Sequence, residues 1–247
     1  MVESDMSSND KIILCDGDSI AYKAGYCNSV SEMRQSINNM MYRIIRDCGS
    51  SKYELYIEEW REGKNLFRSS MTLETKSYKG NRKGSKPKLL NQAREYMKST
   101  FNARVVKEYE SEDLVLIRAY EIGIDRCIVA YIDKDLEMYS DVTFYNYSKR
   151  FMMRLTPRQA ATNMWKQVLT GDSTDNIPGL RGYGPVKAGK ALQDVSIEDM
   201  PYTAAKHYKD SGQPYRYFIE QYNLIWIRNI RSKEVFYPVG EEEWENL

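Results

Sequence analysis

The tract Leu169–Leu192, LTGDSTDNIPGLRGYGPVKAGKAL, sets two kinds of chemistry side by side. Asp172 and Asp175 stand three residues apart, which puts two hard oxygen ligands on one side of a turn and suits Mg2+ or Mn2+. Gly179, Gly182 and Gly184 follow them. Glycines let backbone N–H groups approach a ligand closely, and the start of the lysine-bearing helix they open into, with Lys187 and Lys190, is a ready anion site. Alone, these glycines would read as a capped turn between two helices. Their coupling to paired acids points instead to phosphodiester chemistry.

Other acids fall where predicted strands end. The apolar run Lys11–Cys15 predicts a buried strand ending in Asp16, Tyr53–Ile57 a second ending at Glu58, and Cys127–Ile132 a third ending at Asp133 and Asp135. Glu110, Glu112 and Asp113 mark a junction between a strand over 103–109 and a helix over 111–122 with Ser111 as its N-cap. A further strand is expected over 143–147. Helices are expected over about 33–45, 87–99, 157–169 (started by Thr156-Pro157, stopped by Gly171), 202–211 and 215–230. Strands alternating with helices predict an α/β fold with a mostly parallel central sheet flanked by helices, and the crevice outside the strand carboxyl ends is where sites form in such sheets. Any one of these acids could cap a helix or serve a turn. Nine converging on one rim would repel strongly unless cations neutralised them.

Composition agrees. The chain has 247 residues, 42% hydrophobic and 29% charged, enough for one domain with a real core. No apolar run approaches membrane-spanning length, and the polar start MVESDMSSND does not resemble a secretory signal, so a cytoplasmic protein is expected. Four cysteines without a C-x-x-C pair fit reduced thiols, and a single histidine, His207, disfavours zinc. Net charge is only +1, yet removing the nine acids named above leaves 26 acids against 36 bases. Between Lys76 and Lys107 ten bases accompany one acid, Glu95, a polarisation typical of a phosphate-contacting surface.

These motifs, in this order, resemble the 5′-nuclease superfamily of flap endonucleases, phage 5′→3′ exonucleases and the 5′-nuclease domain of bacterial DNA polymerase I. LCDGDSIAYKA resembles the first motif, with Asp16 as its aspartate and Tyr22-Lys23 in place of an aromatic–basic pair. YIEE resembles the second-strand acidic motif, SYKGNR the basic motif of the arch (Tyr78, Lys79, Arg82), YESEDL a Glu-x-Asp-Asp motif, and YIDKDLEMY the Asp-Lys-Asp motif. Leu169–Leu192 resembles the helix-three-turn-helix element. Glu58 and Glu112 stand where the family has aspartates, and Val186 where many relatives have lysine.

The resemblance implies a PIN-like 5′-nuclease fold in a single domain over 1–247. Its parts would be a catalytic core over 11–168, a basic clamp or arch over about 76–104, and a helix-three-turn-helix with C-terminal helices over 169–230. It implies hydrolysis at two divalent ions roughly 3.5–4 Å apart, without a protein nucleophile. Asp16, Glu58, Glu110 and Glu112 would hold one ion and Asp133, Asp135, Asp172 and Asp175 the other, with Asp113 in an outer position. Lys79 and Arg82 would stabilise the scissile phosphate, and Tyr22-Lys23 would complete the catalytic set. Tyr78 and Tyr22 would stack on an unpaired base. Lys83, Lys86 and Lys88 would hold the strand, and Gly179, Gly182, Gly184, Lys187 and Lys190 the duplex backbone, with a K+ ion at that turn. Partners would be duplex DNA with 5′ ends, nicks or flaps, or an RNA–DNA hybrid, bound by a monomer, in a host cytoplasm if phage-encoded. A ribonuclease using the same acids and a catalytically idle junction binder are the alternatives, and an acid at every motif argues against the second.

Overall fold

The structure, a computed structural model, describes residues 11–58, 67–71, 77–81 and 84–247. Five parallel strands form its centre. They are β1 (Ile12–Asp16), β2 (Tyr53–Glu58), β3 (Arg104–Val106), β4 (Cys127–Tyr131) and β5 (Phe144–Asn146). A sixth, β6 (Phe151–Met153), pairs antiparallel with β5, giving the order β3-β2-β1-β4-β5-β6. Strand carboxyl ends therefore share one rim, as the alternating pattern predicts. β6 is a short antiparallel edge that the sequence did not announce, and β3 keeps only three residues of the expected 103–109.

Alternate residues of β1, β2 and β4 pack to opposite faces. Ile13, Cys15, Leu55, Ile57, Ile128 and Ala130 meet α1 (Gly17–Ala24), α2 (Val30–Cys48) and α4 (Leu90–Phe101). Leu14, Tyr56, Val129 and Tyr131 meet α5 (Ser111–Ile122). Burial on both faces explains why these strands read as continuous apolar runs. The basic stretch over 76–104 is thus not a free arch throughout. Leu90, Ala93 and Met97 bury α4 in the core, while Arg94, Lys98 and Arg104 pair with Asp18, Glu95 and Glu54. A single turn of helix, α3 (Phe67–Ser70), lies on the chain between β2 and this stretch.

The remaining helices, α6 (Pro157–Thr170), α7 (Pro185–Leu192), α8 (Met200–Asp210), α9 (Tyr215–Ile225) and α10 (Glu241–Glu245), build a second cluster around Trp165, Tyr208, Phe218 and Trp244. Thr156 caps α6 in a capping box with Gln159. α9 ends five residues before the expected 230, because Trp226 turns to extended backbone and its carbonyl accepts from Arg68 at 2.8 Å. Among the described residues, no helix is long and apolar enough to cross a membrane.

Candidate active site

Asp16 closes β1 and caps α1, buried. Its carboxylate accepts from the backbone N–H of Asp18 (3.0 Å) and from the hydroxyls of Ser111 (2.7 Å) and Ser19. Burial raises its pKa, the serine hydrogen bonds oppose that, and the charge of Glu58 at the end of β2 raises it further. Asp18, absent from the expected site, sits beside it. Arg94 of α4 grips its two oxygens at 3.1 and 2.6 Å, and its Oδ1 also accepts from the backbone N–H of Glu58 at 2.9 Å. Burial still raises Asp18 despite the arginine. The only sequence signal for it was the Asp-Gly-Asp spacing.

Three acids at the start of α5 meet different fates. Glu110, not Ser111, is the N-cap, in a capping box with Asp113. Glu110 is buried, which disfavours its charged form, but the Lys79 ammonium, the Arg68 guanidinium and the Tyr78 hydroxyl hold its pKa down at about 2. Asp113, expected in an outer position, is fully engaged within the protein. Arg68 holds both its oxygens at 2.6 and 2.7 Å, and the backbone N–H groups of Arg228 (2.8 Å) and Glu110 (3.2 Å) supply the rest. Four donors saturate that carboxylate, so Asp113 is a structural anchor. Among the described residues, no such set of donors meets Glu112. Burial, then the charges of Asp16, Glu110 and Asp133, push its pKa well up, with Lys79 opposing.

Across the rim, Asp133 caps the single 3-10 turn after β4 (Lys134–Leu136) and Asp135 lies within it, Asp133 accepting from the Asp135 N–H at 3.1 Å. The protein packed around them raises both; the charges of Asp175 and Asp172 raise Asp133 further, and those of Asp133 and Asp172 raise Asp135 to about 7. Gln167 of α6 donates to Asp135 at 2.9 Å. Asp172 accepts from the N–H groups of Thr174 (2.7 Å) and Asp175 (3.3 Å) and forms a bridge with Ile177. Asp175 accepts from Tyr78 at 2.9 Å and lies 3.5 Å from Lys79.

Does this donor set fit divalent ions? Among the described residues, no three carboxylate, thiol or imidazole groups stand ready around one point. The rim is a like-charged pit of hard oxygens rather than a finished cage. That suits Mg2+, which keeps several waters and takes one or two carboxylates directly.

Tyr78 is not placed to stack on a base. Its ring is buried in the core, and its hydroxyl bridges Glu110 and Asp175. Tyr22 and Lys23 are exposed on α1, and Tyr22 meets Tyr26 edge-on rather than any carboxylate. Tyr26, its ring partner, lines one cavity of about 450 Å³ with Lys86 and Lys88 of the loop before α4. Arg82 and Lys83 lie outside the described residues.

The glycine-rich turn divides in the same way. Gly179 does not offer its backbone to a ligand. Its N–H donates to Gln221 at 2.9 Å and its carbonyl accepts from Tyr217 at 2.9 Å, both from α9. Its φ is +62°, and a Cβ there would stand 2.3 Å from the Gly171 nitrogen. Gly182 (φ +83°) and Gly184 face open space. Gly184 is the N-cap of α7, from which Lys187 reaches over the Tyr183 ring at 3.9 Å, and Lys190 is exposed. Tyr183 in turn meets the half-buried His207 at 2.9 Å.

No family model matches the chain. The DNA polymerase I of Deinococcus radiodurans is 25% identical over 220 residues, 81% of this chain and 22% of that protein. The DNA polymerase I of Bacillus subtilis is 28% identical over 222 residues, 79% and 24%. The chain thus spans about a quarter of the length of these curated relatives. Among solved structures, a bacteriophage T5 protein co-crystallised with metal ions superposes with a TM-score of 0.69 at 17% identity, over 96% of both chains. The bacteriophage T5 flap endonuclease in complex with DNA and metal ions gives 0.64 at 17%, over 87% of this chain and 90% of that one. The catalytic core of Rad2 in complex with DNA substrate gives 0.53 at 11%, over 91% and 73%. The sheet order, the acidic rim and the glycine-rich turn before α7 stand in a chain that has the fold of these T5 and Rad2 structures.

Proposed function

We propose that this chain is a metal-dependent 5′ nuclease that hydrolyses DNA phosphodiesters as a 5′→3′ exonuclease and flap endonuclease, leaving 5′-phosphates. One observation carries it. Asp16, Glu112, Asp133 and Asp135 have their pKa values raised by the protein packed around them and by the charges of neighbouring acids (Glu58, Glu110, Asp172 and Asp175 among them), on the carboxyl rim of a parallel sheet. Asp16, Glu58, Glu110 and Glu112 on one side and Asp133, Asp135, Asp172 and Asp175 on the other would hold two Mg2+ or Mn2+ ions, which supply an activated water and charge on the departing oxygen.

The chain's own groups then divide the work. Lys79, between Glu110 and Asp175, holds positive charge at the mouth of the pit. With Arg82 it would meet the phosphate dianion as it develops. Asp16 is held in one orientation by Ser19, Ser111 and the Asp18 N–H, which pre-sets an oxygen toward the rim. Gly182, Gly184, Lys187 and Lys190 would meet duplex phosphates, with K+ at the turn, and Tyr22, Lys23, Lys83, Lys86 and Lys88 the single strand. The substrate would be duplex DNA with 5′ ends, nicks or flaps, or an RNA–DNA hybrid, acted on by a monomer in the cytoplasm. Its single domain would span 1–247, with the core over 11–168 and the duplex-binding helices over 169–230.

The test is a panel of 5′-labelled nicked, flapped, blunt and RNA–DNA duplexes incubated with Mg2+ and with EDTA. Metal-dependent release of 5′-phosphate products is expected. No cleavage of any substrate in Mg2+ or Mn2+ would refute the reading, and cleavage confined to RNA would favour the ribonuclease.

A further inference from the structure

Asp18 answers a structural need at the end of β2. β1 stops at Asp16, opposite Tyr56, and the chain turns directly into α1. Continued two residues further, the same register would set residue 18 opposite Glu58. No strand is there, but the Asp18 side chain is, and its Oδ1 accepts the Glu58 N–H at 2.9 Å. The carboxylate stands in for the missing ladder acceptor. Arg94 holds it at both oxygens in a fork geometry, with the two side chains only 12% and 18% exposed. Without Arg94, Asp18 would be an uncompensated carboxylate beside Asp16. Without Asp18, the last N–H of β2 would lose its acceptor where Glu58 points at the rim. A cavity of about 420 Å³ lined by Glu58, Arg94, Lys98 and Lys107 leaves room for Glu58 to shift on that side.

We infer that Asp18 and Arg94 act as a pair of positioning residues, fixing the backbone of Glu58 for the chemical step and linking that acid to α4, the helix that continues the basic stretch. This rests on the nuclease reading. Neither residue need touch the scissile phosphate. The pair acts through where it sets Glu58, and such misplacements lower rate rather than affinity.

The experiment compares the parent with Asp18→Ala, Arg94→Gln, Arg94→Lys and the Asp18→Ala/Arg94→Gln double variant. It reads single-turnover cleavage of a 5′-flap duplex at saturating enzyme and Mg2+, DNA affinity in Ca2+ across a salt series, and melting temperature. Asp18→Ala and Arg94→Gln should each slow cleavage by about ten- to a hundred-fold with affinity within about twofold. The double variant should be no slower than the worse single one, as for two members of one device. Arg94→Lys should recover part of the rate. Singles that melt earlier but cleave at the parental rate would reduce the pair to a stability element and overturn the proposal. A weaker, less salt-dependent affinity at an unchanged saturated rate would make Arg94 a phosphate contact and overturn it too. So would losses that multiply in the double variant. A parent that cleaves nothing would sink the nuclease reading itself, whereas a parent that cleaves beside equally active variants would sink only this pair.

Discussion

Changing Asp135 to Asn should make the metal-free protein more stable while ending its activity. Asp135 is raised from an ordinary 3.8 to about 7 by burial, then by Asp133 and Asp172. An acid whose folded pKa is raised binds a proton more tightly when folded. Stability is therefore full below about pH 4 and falls as pH climbs through about 7. Three units at 1.36 kcal/mol each give a ceiling of about 4 kcal/mol. Solvent reaches part of the carboxyl, and asparagine keeps an acceptor for Gln167. We therefore expect a gain of about 1–2 kcal/mol at pH 8, or about 2–8 °C for a chain of this size. At pH 3 parent and variant should melt nearly together, because the carboxyl is protonated there in both the folded and the unfolded chain. With Mg2+ at pH 8 the parent should rise, since bound cations relieve the repulsion, and the gap should close or reverse. Thermal melts in EDTA and in Mg2+ at both pH values, beside a cleavage assay, give all of this. A variant no more stable than its parent in EDTA at pH 8, or one with an equal gap at both pH values, would refute the like-charged pit. So would near-normal turnover.

Asp113→Ala should lower stability by about 3–5 kcal/mol in urea unfolding, because it strips the buried Arg68 of its main partner. Gly184→Val should weaken duplex binding in Ca2+ without changing the Mg2+-induced melting shift. The site has open space and an ordinary φ of −87°, so valine fits without strain, and unchanged binding across a salt titration would count against a duplex contact there. Lys86→Ala with Lys88→Ala should flatten the log–log salt dependence of binding by about 0.9 for each phosphate no longer neutralised, and an unchanged slope would remove these lysines from the interface. Lys79→Ala should cut single-turnover cleavage far more than affinity, and equal losses would make it a mere binding residue.

How far the sequence could be followed differs from residue to residue for physical reasons. Asp16 and Glu58 were legible because a parallel sheet sends every strand's carboxyl end to one rim, so an acid after an apolar run is placed by topology alone. The helix over 157–170 was legible from Thr156, Pro157 and Gly171, all local signals. What holds Asp113 away from the pit was not. Glu112 and Asp113 are adjacent on α5, and which one faces the pit is settled by Arg68, 45 residues away and carrying no local mark. Gly179 and Gly182 look alike in the chain, yet Gln221 and Tyr217 of α9 consume the backbone of one and leave the other open. Tyr78 matched a basic motif whose family role implied exposure, and its hydroxyl instead found two carboxylates. Each miss is a long-range partner that no window on the sequence contains.

Those partners also explain how so many acids coexist in one rim. Arg68 neutralises Asp113 and part of Glu110, Arg94 neutralises Asp18, and Lys79 serves Glu110 and Asp175. Lys79 is held there firmly. Its backbone takes a positive φ of 57°, uncommon for a side-chain-bearing residue, and its N–H donates to the Asp175 carbonyl at 2.8 Å. Asn81 donates to the Ser173 carbonyl at 2.7 Å and Asn176 to the Ser77 carbonyl at 2.9 Å, so the turns 77–81 and 172–176 are stitched together from both sides. The protein's own cations thus crowd one flank of the pit. Glu112, Asp133 and Asp135 are instead raised on balance by neighbouring carboxylates, and that is where a divalent ion gains the most free energy by binding.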